Sequence, residues 1–313
     1  MKLRAYLLMT FVVAVWGSTF VVVKGALADA TPAAFNLTRM TLAFVVLAVG
    51  YRKSWRGIRG WQWGAGALVG LCLAVGYQFQ TTGLMRTTPS KCAFITGLVV
   101  VLVPLFSSIP GLRPPGASRP RWNVFPGAGL AFVGIVLLTV PTAVAGSPQV
   151  GGAVVGLLGE FSSINLGDVL TLGCAIGFTF HCMALGRVSP KIDFRVLAIL
   201  QVGFCAVFMA LSLPLIEHPH VVWTLRLGIA LAVAAVLATA AAFSIQSWAQ
   251  SILPATHMAL LLTLEPVFAW ITSFAVMGER LGLRPATGAL LILAGIALTE
   301  LVPQPHVPTA HEG

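Results

Sequence analysis

The chain has 313 residues, of which 58% are hydrophobic and only 9% charged. A soluble domain carries roughly 25% charged residues because its surface must face water, so this composition excludes a soluble fold and leaves lipid as the partner of most of the surface. The net charge of +10 would fit nucleic acid, but the basic residues fall in short clusters between apolar runs, with no basic helix or aromatic-interleaved stripe, and nucleic acid is excluded as a partner.

A bilayer core of ~30 Å needs about 20 apolar residues in helical conformation. Ten stretches qualify, roughly 5–28, 32–51, 61–85, 90–109, 124–143, 168–187, 194–216, 226–250, 255–277 and 284–303. The first follows Lys2 and Arg4, and Ala26-Leu27-Ala28 resembles a cleavage site, which together outline a signal peptide. Its apolar run is longer than the ~7–15 residues of a signal core and holds Trp16, Ser18 and Thr19, so it reads as a retained first span. The second opens at Pro32 and carries Arg39 about seven residues in. The third contains Gln78 and Gln80, and Thr87-Thr88-Pro89 separates it from the fourth, which contains Thr96. A Pro/Gly-rich stretch at 110–120 precedes the fifth, and the Gly/Ser-rich segment 142–167 reads as a lateral loop. The sixth holds His181 beside Cys182, the eighth holds Gln246, Trp248 and Gln250, and the ninth holds Glu265 followed by Pro266. Gly66 with Gly70 and Gly173 with Gly177 have the spacing that lets helices approach closely in lipid. None of the five cysteines forms a C-x-x-C pair, and all read as small residues within or beside the spans.

Loop charge sets orientation. With the N-terminus inside, the cytoplasmic segments hold Lys2, Arg4, Arg52, Lys53, Arg56, Arg59, Arg113, Arg119, Arg121, Arg187, Lys191 and Arg195. The outer ends hold Arg86, Lys91, Arg226, Arg280 and Arg284. This places both termini in the cytoplasm of a multi-pass protein of a bacterial cytoplasmic membrane.

The two halves resemble each other. Ala14-Val15-Trp16-Gly17-Ser18-Thr19 lies 161 residues before Ala175-Ile176-Gly177-Phe178-Thr179-Phe180, and Gly127 to Ile135 matches Gly288 to Ile296 at that same offset. The expected fold is all-α and integral to the membrane, with ten transmembrane helices in two inverted-topology repeats of five. Residues 1–145 form the first unit, 146–167 a connecting loop, 168–303 the second unit and 304–313 a cytoplasmic tail. Five spans per unit force the second unit to enter upside down, the basis of alternating access.

Several motifs in order carry a resemblance to a known family: Trp16-Gly17-Ser18-Thr19-Phe20, Pro32 with Arg39, Thr87 to Gly97, Gly167-Asp168, Leu264-Glu265-Pro266-Val267-Phe268 and Gly278-Glu279-Arg280-Leu281. The chain resembles the EamA-type carriers of the drug/metabolite transporter superfamily over about residues 5–302. The resemblance implies ten helices in two inverted repeats around a central cavity, and export of amino acids or other small metabolites. Related branches move sugars or nucleotide sugars. Many members carry a Gly-Glu-Arg-like tripeptide after the fourth span of both repeats. Here the first copy is replaced by Pro110-Gly111-Leu112-Arg113-Pro114-Pro115.

A charge at bilayer depth costs about 2.5–3.5 kcal/mol on insertion scales and so faces a cavity or a partner. Glu265 sits about ten residues into the ninth span, near the midplane. It either binds a substrate amine, carries a coupling proton, or braces a helix kinked at Pro266. Arg39 either holds a substrate carboxylate, pairs with Glu265, or caps carbonyls at a helix break. Lys24, close to a helix end, can snorkel. Gln78, Gln80, Gln246 and Gln250 suit either a watery pathway or bonds between helices. Trp16 and Trp248 line an aromatic cavity or pack, Ser18, Thr19 and Thr96 belong to the same pathway, and His181 makes a cavity-facing hydrogen bond.

No cofactor and no metal site is expected. There is no G-x-x-x-x-G-K-[ST] motif, so energy comes from a gradient. The expected partners are a small-molecule solute, the lipid bilayer and coupled protons. The leading reading is a secondary carrier exporting a small metabolite such as an amino acid. The alternative is an integral-membrane lipid-modifying enzyme, which would need acid/base clusters that the nine scattered acidic residues do not form.

Overall fold

A computed structural model describes residues 2–109, 111–112, 122–139, 165–250, 253 and 261–301. The connecting loop expected at 146–167 lies almost wholly outside the described residues, and so does the tail at 304–313. The side chain of Gln250 is also outside them.

Helices account for nearly all of the ordered elements. They are α1 (Lys2–Ala26), α2 (Pro32–Gly50), α3 (Gly60–Arg86), α4 (Pro89–Thr96), α5 (Val99–Ser107), α6 (Val124–Thr139), α7 (Leu166–Val188), α8 (Phe194–Ile216) and α9 (Leu225–Ala232). A π-helix, π1 (Val233–Ala241), leads from α9 directly into α10 (Ala242–Gln250), and α11 (Glu265–Met277) and α12 (Leu283–Leu301) follow. Among the described residues there are no strands, and one isolated bridge joins Ala30 to Val221. An all-helical build is what lipid demands, because a helix satisfies its backbone donors and acceptors within itself.

Local chemistry starts and stops these helices. Thr88, Asn165, Asp193 and Thr224 each accept a backbone N–H from the first turn that follows them, the usual N-cap role. Pro32 and Pro89 open their helices where a missing N–H costs nothing. Gly278 closes α11 in the left-handed region at φ 67°, where a side chain would be strained.

Seven stretches are long and apolar enough to cross a membrane: Lys2–Ala26, Pro32–Gly50, Gly60–Arg86, Pro89–Ser107, Leu166–Lys191, Phe194–Ile216 and Leu225–Ala249. Three shorter apolar helices, Val124–Leu138, Glu265–Met277 and Leu283–Leu298, overlap the fifth, ninth and tenth expected spans. Ten full-length crossings are therefore not reached among the described residues.

Two expected spans are broken rather than continuous. The fourth divides at Gly97 and Leu98, between α4 and α5. In the ninth, a helical Leu261-Leu262 ends in a turn at 263–264 and α11 begins afresh at Glu265. Glu265 thus opens a helix instead of lying within one. Pro266 fits the first turn of that new helix, where it needs no hydrogen bond.

Packing depends on glycine at the crossings. A Cβ on Gly70 would lie 2.7 Å from Gln201 O, and one on Gly177 2.9 Å from Gly76 N. The expected close-packing role of Gly66, Gly70, Gly173 and Gly177 is the arrangement found, with α3 lying against both α7 and α8. On α6 and α12, Gly134 meets the Gly288 carbonyl and Gly295 meets that of Gly127. Adding 161 to 134 and 127 gives 295 and 288, so the second contact is the first one with the repeats exchanged. That is the signature of a two-fold relation between the helices.

Contacts also sort to two ends. At one end, Thr31 N donates to His220 O at 2.9 Å and Val222 N to Asp29 O at 2.7 Å. Thr224 and Arg226 both donate to the Asp29 carboxylate, Arg226 with Nε at 2.8 Å and Nη2 at 2.7 Å. The Arg226 fork, followed by the Thr224 hydroxyl, holds the Asp29 carboxyl down at about 2. At the other end, Arg187 donates to the Gly111 and Leu112 carbonyls, and Tyr51 stands edge-on to Phe194.

Candidate functional site

The two broken helices meet where they break. A Cβ on Gly97 would lie 3.0 Å from the Pro266 ring, so a larger residue at position 97 would push the two breaks apart. Beside this contact lies a cavity of about 110 Å³, lined from both halves of the chain. That exceeds the ~10–15 Å³ needed by a single water several times over.

Of the residues singled out from sequence, Trp16, Thr19, Arg39, Gln80, Thr96, His181, Gln246 and Glu265 line this cavity. Ser18 does not; its hydroxyl lies 3.3 Å from the Thr272 hydroxyl between α1 and α11. Gln78 turns away, accepting from Asn36 Nδ2 at 2.9 Å. Trp248 packs with the cluster of Ala5, Met9, Val12 and Val13. The divergence of Gln78 and Gln80 is geometric: residues two apart on an α-helix point about 200° apart, so only one can face a given cavity.

Arg39 is 4% exposed. Its Nε donates to Thr239 Oγ1 at 2.8 Å, its Nη2 to the Tyr77 hydroxyl at 3.1 Å and to Ala238 O at 3.4 Å. The guanidinium carbon lies 4.4 Å from the Tyr77 ring centroid. No ion pair with Glu265 forms among the described residues; the arginine instead grips π1, which supplies both Thr239 and the Ala238 carbonyl. Trp16 Nε1 donates to that same carbonyl at 2.9 Å. Neutral acceptors orient the charge without neutralising it, and its Nη1 has no protein partner among the described groups. π-helical segments occur often at functional sites, and here the segment organises two cavity side chains.

The opposite wall is different. Glu265 opens α11 with no hydrogen bond or ion pair to its carboxylate from any described group. Gln246 is 3% exposed, and its Oε1 has no hydrogen-bond partner among the described residues. His181 Nε2 shares a 3.0 Å hydrogen bond with Gln201 Oε1, which fixes the ring. Gln80 Nε2 reaches Thr96 Oγ1 at 3.5 Å, and Thr96 contacts Cys174 Sγ at 3.6 Å. Aromatic rings complete the wall, with Tyr77 edge-on to Phe178 at 5.1 Å and Trp16 and His181 each about 6 Å from Phe243.

Sequence reasoning did not single out Phe20, Tyr77, Thr81, Phe178, Cys182 or Phe243, all of which line the cavity. A signal existed for some. Tyr77, Gln80, Thr81 and Leu84 follow helical spacing along α3, and Phe178, His181 and Cys182 follow it along α7. Among the described residues, no group of three His, Cys, Asp or Glu gathers as a metal site would require.

The EamA-like transporter family matches residues 3–140 and 165–301, one copy per half. An uncharacterized transporter of Archaeoglobus fulgidus is 30% identical over 309 residues, covering 96% of this chain and 87% of that protein. A second uncharacterized transporter of Archaeoglobus fulgidus is 24% identical, covering 96% of this chain and 98% of its own length. Among solved structures, a crystal structure of a protein matches with a TM-score of 0.64 at 19% identity, covering 96% of this chain and 99% of the other. That likeness shows the shared fold. The relatives' names and the family point to a membrane transporter rather than an enzyme. With both halves matched, this chain belongs to the EamA-like transporter family and, through it, to the drug/metabolite transporter superfamily.

Proposed function

We propose that the protein is a secondary-active carrier that exports a small metabolite such as an amino acid by alternating access. In this reading ten spans form two inverted repeats of five in the cytoplasmic membrane, with both termini inside. The observation that carries it is the cavity at the meeting of the two broken fourth spans, lined by residues of both repeats. Broken helices around a central site give a carrier its binding groups and its two alternative openings. The sorting of loop contacts to two ends supports the alternation of ten crossings.

The chemistry favours a solute with separated polar groups. Arg39 offers a forked donor for a carboxylate. Glu265 and the unpartnered Gln246 Oε1 offer acceptors for an amine, and the aromatic wall offers an apolar face for the solute's body. Glu265 is also the natural carrier of a coupling proton, because among the described residues it is the carboxylate that lines the cavity and no cation pairs with it.

Two steps test the reading. A ligand-stabilisation screen of the purified protein against amino acids, sugars and nucleosides identifies a bound solute by mass action. Transport of that solute into reconstituted vesicles is then measured with and without a pH gradient. The expected result is gradient-dependent transport that loses its gradient dependence in Glu265→Gln. Unchanged gradient dependence in that variant rejects the proton role.

A further inference from the structure

Hydrogen-bond donors are unevenly shared out around the cavity. α1 brings two polar side chains to it, Trp16 and Thr19, and both spend their hydrogens within the protein. Trp16 Nε1 donates to Ala238 O at 2.9 Å, and Thr19 Oγ1 donates to Trp16 O at 2.6 Å. A carbonyl only accepts, so the direction of both bonds is fixed. Thr19 therefore has lone pairs to offer a solute and no hydrogen.

Thr81 on α3, another lining residue, reaches the same state by a longer route. Asn36 on α2 is fully buried. Its Nδ2 donates to Tyr77 O at 3.0 Å and to Gln78 Oε1 at 2.9 Å. The Tyr77 carbonyl needs a donor, which fixes the Asn36 amide with its nitrogen on that side and Oδ1 on the other. Thr81 Oγ1, 2.9 Å from Oδ1, must then be the donor. Asn36, itself not a lining residue, is thus a positioning residue that sets what Thr81 can do. Glu265 belongs to the same wall. A Cβ on Gly17 would lie 2.7 Å from Glu265 O, so α11 begins against α1 beside Trp16 and Thr19. Lys24 Nζ donates to Leu84 O at 2.8 Å, which draws the turn of α1 after Thr19 onto the turn of α3 after Thr81. An ionised Glu265 is again an acceptor with no hydrogen of its own.

We infer that Thr19, Thr81 and Glu265 form an acceptor-only wall that selects a primary ammonium group over an N-methylated cation of the same charge. The inference rests on the carrier reading above and narrows its solute class. A primary ammonium brings three N–H bonds to three acceptors. Methylation keeps the charge, so attraction to Glu265 survives, but each N–H lost leaves a buried acceptor unpaired. A carboxylate, itself only an acceptor, finds no hydrogen on this wall and is turned towards the Arg39 fork. The wall thereby sets the orientation of the solute as well as its class.

The test uses the purified full chain with leucine and phenylalanine, whose apolar bodies suit the aromatic wall, and the N,N,N-trimethyl betaine of each. Affinity is read as thermal stabilisation over a concentration series. The expected result is that the parent binds the free amino acid at least ~tenfold more tightly than its betaine, the shift expected from losing one hydrogen bond to a charged group. Bulk alone would also weaken the betaine, so Thr19→Val and Thr81→Val, which keep the shape and remove the acceptor, separate the two causes. In each, affinity for the free amino acid falls by ~threefold or more, affinity for the betaine is unchanged, and the ratio narrows. Thr81→Ser restores the parent's ratio. Should the valine variants fail to fold, the N,N-dimethyl form, which keeps one N–H at nearly the betaine's bulk, must bind the parent at least ~threefold more tightly than the betaine. Equal or tighter binding of the betaine, a ratio unchanged in both folded valine variants, or equal binding of the dimethyl and trimethyl forms overturns the acceptor wall and leaves the carrier reading intact. No stabilisation by any of these probes overturns the amino-acid reading along with it.

Discussion

Arg39 and Glu265 share a cavity without forming an ion pair, and this separation gives the site its chemistry. A salt bridge would have left two satisfied groups and little to offer a solute. Instead Arg39 is held by neutral oxygens and the Tyr77 ring, so its charge stays available. Arg39→Lys keeps the charge but loses the fork and its fit to the Tyr77 face; the rate of transport of a carboxylate-bearing solute should fall about tenfold or more, measured as initial uptake into vesicles. A rate equal to the parent's would show that the guanidinium is structural. Asp29 makes a prediction about stability. Its carboxyl is held at about 2 by Arg226 and Thr224, below its unfolded value, so its contribution is fully present above pH ~4 and disappears as pH falls through about 2. Thermal unfolding in detergent should therefore show Asp29→Asn less stable than the parent at pH 6. The difference should shrink steadily as pH falls from about 4 towards 2, and a constant difference over that window would contradict the assignment.

At the scale of the element, the breaks and crossings matter most. Gly134 and Gly288 let α6 and α12 touch along their backbones, and a Cβ on Gly134 would lie 2.6 Å from the Gly288 carbonyl. Gly134→Leu should destabilise the protein by roughly 1–3 kcal/mol through overpacking. Gly129→Leu, on the same helix with nothing within 4 Å of a Cβ, should be close to neutral. Melting of the two variants in detergent checks the pair, and equal melting points would remove the crossing from the account. Most helices were legible in the sequence because an apolar run of about 20 residues is a strong signal; 194–216 coincides with α8 (Phe194–Ile216). The breaks at 97–98 and 263–264 were not legible. Gly97 is only one of 32 glycines, and Pro266 suits both a kink within a helix and the first turn of a new one. π1 was hidden as well, since Val233–Ala241 is composed of small and apolar residues that carry no mark of a changed register.

At the scale of the whole molecule, the repeat carries the argument from sequence to function. The offset between Gly127–Gly134 and Gly288–Gly295 was readable in the sequence, and the structure turns it into reciprocal backbone contacts across a two-fold relation. The polar members of the cavity were largely readable too, because a charge or amide inside a span is costly and stands out. Its aromatic members were not, because Phe178 and Phe243 look the same in sequence whether they face lipid, a neighbouring helix or a solute. In a soluble protein, polar–apolar contrast reveals which face of a helix is buried; in lipid both faces are apolar and that contrast is lost.

The account's central claim is that the shared cavity opens to each side in turn and carries a solute across. Counterflow tests it most directly. Vesicles holding the protein are loaded with the unlabelled solute found by the stabilisation screen and diluted into a trace of labelled solute. The account predicts transient accumulation of label above equilibrium, driven by exchange through one alternating site, and a marked loss of that overshoot when Arg39 is replaced. Movement of label that follows simple equilibration, with no overshoot and no effect at Arg39, would contradict it.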